Sequence, residues 1–153
     1  MKLLLAAKAE VNFRTRRSFL VKNVTPLHVA SKHGHSEVAT LLIEAKASVN
    51  QLTSWTETPL LFACESLSPE MVRLLIDAKA NVDEAYTENI TDLDAKSEEE
   101  EVRPLTAACR LGRSDMVRML IDAKADMNIL DKSLYYGRKD GHTEIVSMLL
   151  AAK

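Results

Sequence analysis

The sequence predicts an all-α solenoid, a stack of helix–turn–helix units joined by hairpin connectors. Three observations predict it. Nearly the same ten residues are written three times, as LLIEAKASVN (41–50), LLIDAKANVD (74–83) and MLIDAKADMN (119–128), with related phrases at 3–12 and 148–153. A wider register runs around those phrases. Leu27, Leu60, Leu105 and Leu134 each lie 19 residues before a lysine: Lys46, Lys79, Lys124 and Lys153. A small residue follows each of these leucines three positions later (Ala30, Ala63, Ala108, Gly137), and an acid ten positions later (Glu37, Glu70, Asp115, Glu144). The composition agrees: 46% hydrophobic and 27% charged residues describe a globular chain, and four glycines and four prolines in 153 residues are few for a loop-rich β protein.

The second helix of each unit is written most clearly. Apolar residues recur at i, i+3, i+4 and i+7: Val38, Leu41, Leu42, Ala45; Met71, Leu74, Leu75, Ala78; Met116, Met119, Leu120, Ala123; and Ile145, Met148, Leu149, Ala152. Helices this apolar need cover on more than one side, which neighbouring copies supply. The first helices start at Thr25-Pro26 and Thr58-Pro59, a capping hydroxyl followed by proline where a missing N–H costs nothing. Ser68-Pro69 starts a second helix in the same way, and Ser36, Ser114 and Thr143 stand at the other starts. Gly34, Gly112 and Gly141 fall between the two helices, where a tight turn needs positive φ; Leu67 holds that place in its copy and is an expected point of strain.

The connectors differ in length. From the residue closing one unit to the next anchoring leucine the count is 15 for Asn12–Leu27, 10 for Asn50–Leu60, 22 for Asp83–Leu105 and 6 for Asn128–Leu134. The domain therefore divides into a partial repeat at 1–12, repeats at 13–50, 51–83 and 84–128, and a degenerate or truncated one at 129–153: four to five repeats in all. The third carries an acidic insertion near 84–101, with eight acids and one lysine; the run KSEEEEVR (96–103) reads as a solvated, mobile loop or else as a finger for a basic partner. The last lacks the proline of its siblings, so its first helix has the weakest signal. Both ends stop mid-repeat without a polar cap, which leaves two apolar faces open to weak head-to-tail self-association, or marks a piece of a longer array.

The stretch TPLHVASKHGHSEVATLLIEAKASVN (25–50) resembles an ankyrin repeat, in its T-P-L-H opening, G-H turn, L-L-I run and closing V-N. Residues 58–83 and 103–128 are weaker copies, and the 33-residue step from Leu27 to Leu60 equals the ankyrin period. The chain departs from the family at Lys8, Lys46, Lys79, Lys124 and Lys153, where glycine usually follows the second helix. The resemblance implies an ankyrin-like fold and a non-catalytic module that binds another protein through connector tips and the first-helix groove. It also implies that His28 and His35 hydrogen-bond backbone within the repeat. Asn12 and Asn128 match the pattern favoured by an intracellular asparaginyl hydroxylase, against the simpler role of a hairpin-stabilising side chain.

Candidate contact residues follow from these readings. Phe13, Phe19, Trp55 and Tyr86 lie in connectors, and exposed tryptophan is a usual hot spot. Trp55 and Tyr86, the basic Arg14, Arg16 and Arg17, and the groove positions Lys32, His33, Glu65 and Arg110 form the expected partner-binding set. No residues fit a catalytic centre or a cofactor. His28, His33 and His35 make a poor metal site, and Cys64 and Cys109 read as small packing residues. A net charge of -2 gives no reason to expect nucleic acid. No apolar run is long enough to span a membrane, and two cysteines make no secretory framework, so a cytoplasmic or nuclear setting is expected. The competing readings are a self-assembling structural segment and a regulatory array within a multidomain protein.

Overall fold

The computed structural model describes residues 10–14, 23–89 and 99–152. Their order is α1 (Pro26–Lys32), α2 (Ser36–Glu44), α3 (Pro59–Glu65), α4 (Pro69–Asp77), β1 (Tyr86–Asn89), β2 (Glu99–Val102), α5 (Pro104–Arg110), α6 (Ser114–Asp122), a 3-10 turn (Met127–Ile129), α7 (Leu130–Lys139) and α8 (Thr143–Ala151). Two layers result. The inner helices α1, α3, α5 and α7 pack in series, as do the outer helices α2, α4, α6 and α8, and each inner helix packs on its own outer partner.

The core is the predicted register made solid. Leu27, Leu60, Leu105 and Leu134 are buried beside Ala30, Ala63 and Ala108, and the outer helices add Leu42, Met71, Leu75, Met116, Leu120, Ile145 and Leu149. Gly137 takes the alanine's place in the last unit because a Cβ there would stand 3.1 Å from the Val146 side chain. The first three outer helices end alike. Lys46, Lys79 and Lys124 adopt φ of +68°, +67° and +66°. In the first, the Lys46 N–H bonds the Ile43 carbonyl at 2.9 Å and the Ala47 N–H bonds the Leu42 carbonyl at 2.8 Å. Those two bonds satisfy carbonyls the helix end would leave open, and they recur at Lys79 and Lys124.

The turns between the paired helices follow the same logic. Gly34, Gly112 and Gly141 have φ of +66°, +68° and +75°, and Leu67 is forced to +57° in their place. Gly112 is required twice over, since a Cβ there would also stand 2.5 Å from the His142 ring of the next unit.

Two expectations change. The acidic run is no loose loop across its described part: Glu99–Val102 forms β2, paired antiparallel with β1 in the register Tyr86↔Val102, Thr87↔Glu101, Glu88↔Glu100 and Asn89↔Glu99. The helical solenoid thus carries a two-stranded ribbon. The weakly written helix of the last unit is α7, at ten residues the longest described; the short connector feeds it directly from the 3-10 turn.

Candidate partner-binding surface

The connector between the first two described units folds into a braced finger. Thr53 is its centre and is buried. Its N–H donates to the Glu57 carbonyl at 3.0 Å, and its hydroxyl donates to Glu57 Oε2 at 2.9 Å. The same hydroxyl accepts from the N–H groups of Glu57 (3.2 Å) and Trp55 (3.3 Å). Thr56 completes the turn at φ +63°. The turn leaves Trp55 at the tip, 52% exposed.

His28 braces this finger from the inner layer. Its Nε2 lies 3.3 Å from the Glu57 carbonyl, which can only accept, so Nε2 carries the ring proton. Nδ1 is then an acceptor for the Thr25 N–H at 3.1 Å and for the Thr25 hydroxyl at 2.8 Å. Burial, the largest cause, holds the pKa of the ring below its ordinary value; the carbonyl bonds oppose it. The ring also meets Phe62 edge-on, centroids 5.6 Å apart. His28 thus bonds backbone in its own repeat and in the next. His35 does otherwise: it is exposed, its ring stacked 5.9 Å from that of His33.

Phe13 and Arg14 stand on the neighbouring connector. Phe13 is 57% exposed, and Arg14 Nη2 donates to Gln51 Oε1 at 2.7 Å, joining the two fingers. The closing residues tie the finger bases to the next unit. Asn12 Oδ1 accepts from the Ser48 N–H at 2.8 Å, Asn50 Oδ1 from the Asn81 N–H at 2.7 Å, and Asp83 Oδ1 from the Asp126 N–H at 2.7 Å. Asn12 and Asn50 also donate to the carbonyls of Lys46 and Lys79. Asn128 is exposed, its N–H bonded to Asp126 Oδ1 at 2.9 Å.

The structure divides the other expected contacts. Tyr86 is not a surface contact: it is 7% exposed and packs in the core, opposite the buried Val102. Lys32, Glu65 and Arg110 are the last residues of α1, α3 and α5, and His33 follows Lys32. Lys32, His33 and Glu65 are exposed and Arg110 half-buried; the Lys32 ammonium lies 5.6 Å from the Phe62 ring centroid. Arg16 and Arg17 lie outside the described residues, as does Phe19. Phe13, which the connector argument singled out without placing it among the contacts, is exposed, as the connector residue Trp55 is.

The base of the ribbon is fixed. Arg103, standing where Thr25 and Thr58 stand in other units, bonds Glu101 Oε1 at 3.0 Å and Asp126 Oδ2 at 3.3 Å. Lys132 Nζ donates to the Glu101 carbonyl at 2.9 Å.

No group of three or more histidine, cysteine or acidic side chains among the described residues is placed to hold a metal. Cys64 and Cys109 are buried free thiols, both pushed up to about 12 by burial. No described helix is long and apolar enough to cross a membrane. A family profile of ankyrin repeats in three copies matches residues 1–86, and a profile of the single ankyrin repeat matches residues 103–132. No curated protein matches the chain.

Proposed function

Because the chain belongs to the ankyrin repeat family, whose repeats generally serve as protein–protein interaction modules, we propose that it binds a protein partner through its first two fingers, with Trp55 as the anchor. The supporting observation is the contrast at the finger tip. A ring of bonds through the buried Thr53 fixes the backbone, while the indole it carries stays half in water. An aromatic held rigid before binding loses little conformational freedom on contact, so more of its buried area appears as affinity. Phe13 and Arg14 extend the patch, and Lys32, His33, Glu65 and Arg110 continue it along the inner helices.

The reading requires no chemistry of the protein. The experiment is quantitative capture from cell lysate with tagged wild type beside Trp55→Ala. A partner enriched by the wild type and reduced at least fivefold with the variant is expected, which corresponds to about 1 kcal/mol or more at a hot spot. Equal capture by both proteins would remove the finger from the site.

A further inference from the structure

We propose that the chain pairs with a second copy of itself through its outer layer, the groove between α4 and α6 of one copy facing the same groove of the other. These two helices lie in the middle of the described stack, with α2 packed on one and α8 on the other. An open groove of about 580 Å³ runs between them. Four of its charges form a pattern. Arg73 and Arg118 each stand 13 residues past Leu60 and Leu105, and Asp77 and Asp122 each stand 17 past them. Both helices hold the same register in successive units and so run the same way. The groove therefore has an arginine rung and, one helical turn or about 6 Å further on, an aspartate rung. Ile76 and Met119, both half-buried, belong to the same lining.

The chain itself leaves these charges largely unmatched. Arg73, Asp77 and Asp122 make no ion pair with any described residue, and Arg118 meets only Glu144, at 3.9 Å with both side chains about two-thirds exposed. An arginine four residues ahead of an acid is the less favourable order for pairing within one helix. Asp115, the remaining acid of the lining, is already held by Arg113 through two bonds. The pattern also stops at these two helices. The equivalent positions are Thr40 and Glu44 in α2, and Ser147 and Ala151 in α8.

A patch with one sign at each end is complementary to itself when reversed, which is what a two-fold contact demands. Consider a second copy turned about an axis that lies in the contact and crosses both helices. Its Asp77 and Asp122 then answer Arg73 and Arg118, its arginines answer the aspartates, and Ile76 and Met119 meet their counterparts between the rungs. The other two-fold choice, with the axis along the helices, sets arginine on arginine and aspartate on aspartate. Charge thus selects one antiparallel arrangement. Exposed ion pairs are individually weak, so the dimer forms at high concentration and closes at two.

Sedimentation equilibrium of the whole chain tests this with two variants of opposite sign. Arg73→Glu with Arg118→Glu makes the groove wholly acidic; Asp77→Lys with Asp122→Lys makes it wholly basic. Wild type should pass from monomer to dimer as concentration rises, and each variant alone should associate about tenfold more weakly or less. An equal mixture of the two variants should recover the dimer, a gain that misfolded proteins would not show, and Trp55→Ala should leave association unchanged. Wild type that stays monomeric at about 1 mM overturns the proposal. So does a dimer that both variants retain, a mixture that fails to associate, or growth beyond two copies.

Discussion

Arg113 reaches across from one turn to the next and donates from Nη1 to the carbonyl of Leu67 at 3.3 Å, while its Nε and Nη2 hold Asp115 at 3.3 and 2.9 Å. The strained leucine turn is thus supported by the unit that follows it. Leu67→Gly should stabilise the protein by about 1 kcal/mol, because glycine adopts positive φ without the Cβ penalty. Arg113→Ala should be destabilising, and less so in the Leu67→Gly background. A double-mutant cycle by urea unfolding checks this; strictly additive effects would mean that the bond does not support the turn.

Lys46, Lys79 and Lys124 carry the same strain at the ends of the outer helices. Lys79→Gly should raise stability by roughly 1 kcal/mol, offset in part by losing a cation near a helix C-terminus. In a chain of this size that corresponds to a rise of about 2–4 °C in Tm, measurable by calorimetry.

Ser31 shares its register with Cys64 and Cys109, yet its buried hydroxyl has no hydrogen-bond partner among the described residues. A buried, unsatisfied hydroxyl costs about 1–3 kcal/mol. Ser31→Cys should recover part of that cost. An unchanged or lower midpoint in denaturant would show that the hydroxyl is satisfied after all.

The histidine behind the finger makes stability depend on pH. His28 in the fold has a pKa below its ordinary 6.5, so the unfolded chain binds a proton at a pH where the folded ring does not. Its contribution is neutral well above 6.5 and becomes destabilising as pH falls through 6.5 towards the folded value. His28→Gln should be less stable at pH 7.5 and should show a flatter loss between pH 7 and 5. Parallel curves for the two proteins would assign the slope to other groups.

Thiol chemistry should report the fold. With both thiols buried and raised to about 12, Cys64 and Cys109 should react with a thiol reagent at pH 7.5 only through opening of the structure. Two thiols per chain should react at once in denaturant and far more slowly without it.

Whatever depended on local spacing was legible in the sequence. The helix stripes, the proline starts, the strain at Leu67 and the open tip at Trp55 all follow from residues within one unit. Tyr86 was not legible, because its burial is decided by a strand partner 16 residues later, Val102, across an insertion that no other copy contains. The Arg113–Leu67 bond spans 46 residues and two turns, so neither residue's neighbours point to it.

The bonds from Asn12, Asn50 and Asp83 into the unit beyond have one more consequence, for how the stack comes apart. The amide hydrogens of Ser48, Asn81 and Asp126 are each held by a side chain that belongs to the preceding unit. In hydrogen exchange each amide is therefore a sentinel for its neighbour. It is released when the earlier unit lets go, even while its own helices remain folded. Read in order along the chain, the three give the direction from which the stack unzips.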